Sequence, residues 1–331
     1  MRSTAGLCGR RAKQDGRRLD LPAGFRPLGA KQAKVHPVFD DRPIYGHIRF
    51  SFYGLTDTRL RPDPDGTALA ALYAEKRIAR RFFLFENLTL PSLIHQTDSR
   101  FKTVIMSSDV MPDPYKERLT AVAARLPGAV VEFSRYRRGD YAFRKFMIES
   151  GGPKGRGISV HFRLDDDDAV SVNYIDRLRA LSRGLSPSTH LTFPSGIFLF
   201  PARPDVADGV SMTQQRFLTA IGLATVNGDL FQKNPFQMMH GNVWTRWPVV
   251  SDPSFVSHIR TQHFENDTGA RQDRIVGALQ RERNSRRSDR HAAAVDSALA
   301  SDFPWLDRAT LDGLLARCNA VESLADLPPV G

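Results

Sequence analysis

Residues 163–170 read RLDDDDAV, four consecutive aspartates, Asp165 to Asp168, directly after residues 158–164, an apolar run with His161 and Arg163 interleaved. Four adjacent carboxylates repel one another, so folding them together costs free energy unless a cation or a set of donors is nearby. Working outward, the preceding sequence alternates in a way that predicts βαβ units. Residues 47–52 read as a first strand followed by a loop at 53–55, and residues 82–95 as an amphipathic helix despite Pro91. Residues 103–107 (TVIMS) read as a buried strand, 112–126 as a helix, 129–133 as a strand, 141–149 as a helix and 158–164 as the strand that delivers the aspartates. In an open α/β sheet ligands bind beyond the carboxyl ends of the strands, and the aspartates fall there. Side chains alternate along an extended segment, so Asp165 and Asp167 share one side while Asp166 and Asp168 share the other. One pair can then face a site and the other cap the following turn. Hard oxygen ligands of this type suit Mn2+ or Mg2+ carried with phosphate oxygens of a substrate.

Downstream, a helix runs from about residue 171 to 182, and the character then changes. Residues 190–201 (HLTFPSGIFLFP) and 217–226 read as strands, with a Pro-, Asp- and Gly-rich loop between them. Residues 271–283 and 291–301 read as helices around an exposed polar loop at 284–290. The expectation is an α/β chain with a mostly parallel sheet flanked by helices and a mixed second half. Residues 1–43 read as a basic, disordered tail and 44–331 as a single catalytic domain, with 44–170 the nucleotide-binding half and 171–331 the acceptor-binding half.

The 331 residues include 47 Lys or Arg against 36 Asp or Glu, a net charge of +11. Residues 1–36 hold nine basic groups against Asp15 and Asp20, and residues 271–290 hold seven against three acidic ones, so these two stretches contain the whole excess. A nucleic-acid reader carries its basic stripe on the folded face that meets phosphate and interleaves aromatics there, and neither stretch does so. The tail reads either as a disordered, solvated segment or as one attracted peripherally to an anionic membrane. No apolar run approaches the length of a membrane span, and no apolar stretch follows the basic N-terminus as in a secretory signal. The expected location is cytoplasmic, peripheral to the inner membrane. Two cysteines exclude a disulfide framework and a thiolate zinc site.

Residues 88–109 (LTLPSLIHQTDSRFKTVIMSSD) resemble the opening of nucleotide-sugar glycosyltransferases of the GT-A, Rossmann-like fold. There a helix ending in Ser-Leu-x-x-Gln-Thr, here Ser92, Leu93, Gln96 and Thr97, precedes a strand ending in an acidic residue, here Asp109. Gly139, Ala142 and Arg144 match the segment before the aspartate strand, and Leu164 to Asp168 resemble the Leu-Asp-x-Asp-Asp signature. With residues 47–54 (HIRFSFYG) and 193–200 (FPSGIFLF), the pattern is similar to the bacterial putative rhamnosyltransferase family over roughly residues 44–270.

The resemblance implies that Asp109 accepts a hydrogen bond from the nucleotide base and that Ser51, Tyr53 and Gly54 line the same pocket. It places Arg144 near the donor, Asp165 and Asp166 at the ribose and diphosphate, and Asp167 and Asp168 on the metal. His240, in MMHGNV, is the candidate third metal ligand, against a hydrogen-bonded core histidine. Asp267, with Glu265 beside it, is the candidate base that deprotonates the acceptor hydroxyl, against a helix N-cap. Arg271 and Arg274 could meet the diphosphate or be solvated. The expected reaction is metal-dependent transfer of a sugar, L-rhamnose by the family's name, from a nucleotide diphosphate donor to a glycan or lipid-linked hydroxyl. The alternatives are a metal-dependent phosphohydrolase or nucleotidyltransferase using the same aspartates, and a basic nucleic-acid-binding module.

Overall fold

The strand that carries the aspartates lies in a seven-stranded sheet. Its strands are β1 (Ile44–Arg49), β2 (Phe101–Ser108), β3 (Ala129–Ser134), β4 (Ser159–Asp165), β6 (His190–Thr192), β9 (Ala224–Asn227) and β10 (Val249–Ser251), in the spatial order β10-β6-β9-β4-β1-β2-β3. A computed structural model supplies this description for residues 42–55, 62–150, 157–199, 210–214, 219–227, 234–237, 240–262 and 289–330. All of these belong to one unit, Asp40–Gly331. The expected tail, residues 1–43, lies outside the described residues apart from its last two positions.

β1 pairs in parallel with both β2 and β4, and β2 pairs in parallel with β3. The chain therefore steps outward from β1 through β2 to β3 and returns to the other side of β1 as β4. That reversal makes a topological switch point between β1 and β4, where the ends of neighbouring strands open a crevice. β9 runs antiparallel to β4 and β6, which introduces the mixed character. A second sheet of order β5-β11-β7-β8 is formed by β5 (Ala169–Val170), β7 (Ser195–Leu199), β8 (Val210–Gln214) and β11 (His258–Thr261). The expected α/β organisation with a mixed second half is thus observed.

Alternation along β2 explains the layering. Ile105 packs with Phe82, Phe85 and Leu93 on one face, while Val104 and Met106 pack with Phe143 and Met147 of α5 (Gly139–Glu149) on the other. The first face is covered by α1 (Thr67–Leu72), α2 (Glu75–Leu84), α3 (Leu90–Ile94), α4 (Asp113–Ala123) and α6 (Tyr174–Ser182). Leu84 and Leu88 turn instead toward the second sheet and pack with Ile197, Ile259, Phe303 and Leu314, the last two from the C-terminal end of the chain. Among the described residues no helix is long and apolar enough to cross a membrane.

Several elements differ from expectation. The helix expected over 82–95 begins earlier, at Glu75, and passes through a π-turn at Phe85–Thr89 before α3. The amide of Leu90 reaches back to the carbonyl of Phe85, so the chain widens by one residue just before Pro91, which has no N–H to donate. The run 190–201 divides into β6 and β7, which lie in different sheets, with Pro194 between them. β8 falls within the stretch expected to be a loop, and β9 is confined to the end of the strand expected over 217–226. The helix at Arg308–Ala320 had no counterpart in the sequence reading. Residues 271–283 lie outside the described residues.

Gly46, in the middle of β1, allows the ring of Phe162 on β4 to lie across the strand. A Cβ there would sit 2.6 Å from Phe162 Cζ, and that ring is fully buried against Tyr174. Gly46→Ala is expected to cost about 1–3 kcal/mol through overpacking. Urea unfolding monitored by circular dichroism measures it, and an unchanged midpoint would show that the ring moves aside freely.

Candidate active site

β4 ends at Asp165, and the next three aspartates leave the strand in a turn closed by the amide of Asp168 donating to the carbonyl of Asp165. The extended alternation expected for the run therefore stops at Asp165. Because the turn points neighbouring side chains the same way, one guanidinium serves two of them. Arg81 of α2 donates through Nη1 to Asp167 Oδ2 at 2.6 Å and through Nη2 to Asp166 Oδ1. All three side chains are at most 5% exposed.

Each of the other expected residues on this side also has a defined place. Asp166 Oδ2 accepts the amide of Ser51 at 3.2 Å across the β1/β4 switch point. Ser51 adopts a left-handed φ of 41°, which the surroundings hold: Tyr73 donates its hydroxyl to the Ser51 carbonyl and Arg77 donates to Ser51 Oγ. Burial pushes the Tyr73 phenol up to about 12, against smaller opposing effects of Ser107, Ser108, Arg137 and Arg77, so it remains a donor at neutral pH. Asp168 Oδ1 accepts the amide of Thr261, whose hydroxyl donates to the Asp167 carbonyl, and the turn is thereby tied to β11. Burial first, then the charges of Asp167 and Asp165, raise the Asp168 carboxyl well above the ordinary range against the pull of Thr261 and Arg260.

Asp165 differs from the other three in being partly open, at 29% side-chain exposure. The parallel register sets Arg49 beside Asp165, and the two pair at 3.3 Å, as does Arg163. Both guanidinium groups lie over the ring of Phe236, at 4.8 and 4.5 Å, and that ring stacks on Phe143. Arginines stacked in this way are held at fixed positions with their charge intact.

A second group stands at the ends of β1 and β2. Asp109 pairs with Arg137 Nη1 at 3.3 Å, and the Arg137 guanidinium lies over Tyr53 at 5.4 Å. The Tyr53 amide donates to Ser108 Oγ, which donates back to the Tyr53 carbonyl. Gly54 is required by close approach, since a Cβ would lie 2.3 Å from the Arg137 carbonyl oxygen. Ser51, Tyr53, Gly54, Asp109, Asp165 and Asp166 are thus brought to the ends of three adjacent strands. Arg144 sits on α5 with its Nε buried and without a hydrogen-bond partner.

His240 opens a 3-10 helix, His240–Thr245, and is half-buried. Among the described residues no group of three or more His, Cys, Asp or Glu is placed to hold a metal ion. Glu265, Asp267, Arg271 and Arg274 lie outside the described residues. His161 is fully buried and forms a chain from Ser159 Oγ through its own ring to His47.

Tyr73, Arg77 and Arg81 escaped the sequence reading. The available signal was the spacing of Arg77 and Arg81, four apart and therefore on one face of the same helix as the buried Ile78 and Phe82. Gln96 and Asp98 prove architectural. Gln96 donates to the Ser92 and Ser171 carbonyls and accepts the Ile175 amide, which fixes α6 against α3.

Residues 43–275, more than half of the chain, match a family model described as "Putative rhamnosyl transferase". No curated protein matches the sequence. Similar solved structures include S. aureus TarS 1–349 in complex with UDP-GlcNAc, at 10% identity over 78% of this chain and 70% of that one, with a TM-score of 0.36. S. aureus TarS 1–349 is 10% identical over 86% and 88% of the two chains, TM-score 0.36, and S. aureus TarS is 9% identical over 81% and 44%, TM-score 0.35.

Proposed function

The chain belongs to the glycosyltransferase family described as putative rhamnosyl transferase, and from that premise we propose that it moves a sugar, L-rhamnose, from a nucleoside diphosphate donor to a hydroxyl of a bacterial glycan or lipid-linked acceptor. One observation carries the placement of the donor: the switch point between β1 and β4, where the amide of Ser51 meets Asp166 and where Asp165 is the open carboxylate. In this reading Asp109 and Tyr53 hold the base, and Asp165 meets the ribose or sugar hydroxyls. Arg49 and Arg163 face the diphosphate. As the glycosidic bond breaks, the leaving group gains negative charge, and fixed guanidinium groups stabilise that state more than the ground state. Asp267, with Glu265 beside it, is the proposed base for the acceptor hydroxyl.

The test is a calorimetric titration of the full chain with UDP, GDP and dTDP. At least one should bind saturably, and Asp109→Ala should weaken that nucleotide by about tenfold or more, the value of a hydrogen bond to a charged group. Failure of all three to bind, or equal binding by Asp109→Ala, would overturn the placement of the donor.

A further inference from the structure

We propose that Arg81 is the resident cation of the aspartate turn and supplies the charge for which residues 165–168 suggested a divalent metal. The geometry is that of a fork. The two terminal nitrogens of one guanidinium meet two different carboxylates, Asp166 and Asp167, and all three groups are out of water. A guanidinium keeps its charge under any physiological condition, so this counter-ion cannot be lost by deprotonation. The remaining oxygens facing the interior also have protein donors: Asp166 Oδ2 has the Ser51 amide and Asp168 Oδ1 the Thr261 amide. A metal ion entering the turn would have to break these hydrogen bonds and sit within a few ångströms of a buried positive charge, where Coulomb repulsion is weakly screened.

Arg81 cannot readily withdraw, because its helix is anchored on both sides. Ile78, Phe82 and Leu84 are fully buried, Arg77 donates to Ser51 Oγ and the Leu72 carbonyl, and Arg80 donates to the carbonyls of Val321 and Asn319. Arg81 is thus a positioning residue: it holds Asp166 against Ser51 and leaves Asp165 as the open carboxylate of the run. This goes beyond the proposed transfer reaction, and its first test needs no donor.

The experiment titrates Mn2+ into the metal-stripped full chain without nucleotide, followed by electron paramagnetic resonance, for the wild type, Arg81→Lys and Arg81→Met. The aspartates of the wild type and of Arg81→Lys are expected to take up no Mn2+. Arg81→Met exposes two uncompensated carboxylates to the ion and is expected to bind it at least ~10-fold more tightly, about 1.4 kcal/mol, with a melting temperature that Mn2+ raises. Equal Mn2+ affinity in wild type and Arg81→Met would overturn the proposal. If Arg81→Met does not fold, the wild type decides: uptake that Asp167→Asn abolishes overturns the proposal, and a titration that Asp167→Asn leaves unchanged upholds it.

Discussion

Lowering the pH from about 7.5 to about 5.5 is expected to cost the fold about 4 kcal/mol, roughly 1.4 kcal/mol for each of three buried histidines. Burial pushes His47 and His258 down to about 3, with the Arg260 charge adding to the effect at His258, and burial followed by the charge of His47 lowers His161 well below 6.5. The sign follows from proton binding. In the unfolded chain each ring takes up a proton below about pH 6.5, whereas in the folded chain it stays neutral, so the unfolded state binds more protons and stability falls as pH falls. The loss begins near 6.5 and continues toward about 3 for His47 and His258. Asp168 acts in the opposite direction, since its raised carboxyl favours the fold at low pH and loses that contribution as pH rises, so it offsets part of the histidine loss. Urea midpoints at the two pH values measure the effect. His47→Gln, which can keep a hydrogen bond to His161, should remove about a third of the loss. Equal midpoints at both pH values would show that the rings accept protons in place.

Asp98→Ala is expected to lower the unfolding free energy by about 3–5 kcal/mol, because it leaves Arg179 buried without its carboxylate. Arg179 Nε donates to Asp98 at 2.6 Å, and the other two nitrogens donate to the carbonyls of Arg42 and Arg100. Burial alone would raise the Asp98 carboxyl, but hydrogen bonds from Arg100 and Arg179, the Arg100 amide and the Arg179 charge outweigh it and hold it well below the usual carboxylate range. The cluster joins the start of β1, the start of β2 and α6, so its loss should loosen all three together. Chemical denaturation of Asp98→Ala, Arg179→Met and the double variant tests this: the double should cost less than the sum of the singles. A single-variant cost below about 1 kcal/mol would mean that water reaches Arg179 and replaces the carboxylate.

Much of the fold was legible because local pattern and burial agree. A continuous apolar run in β2, period-two alternation in β4 and helical spacing in α4 to α6 identify elements whose neighbours lie close in sequence. The aspartate run was equally legible, since four adjacent carboxylates at a strand end require a compensating charge whatever the tertiary arrangement. The motif at residues 88–109 marked the family, although two of its polar residues serve to lock helices together.

The sequence by itself therefore determined an α/β chain with a mostly parallel sheet, the strand ends where chemistry gathers and the family to which the chain belongs. Only the tertiary structure decided which positive charge answers the aspartates. Arg81 lies more than eighty positions before them, in a segment whose apolar spacing describes its own helix and nothing beyond it. The turn after Asp165, which aims Asp166 and Asp167 at one guanidinium, depends on Ser51, just after β1, and on Thr261 of β11. Such pairings are set by the sheet order and the switch point between β1 and β4, and no local periodicity encodes them.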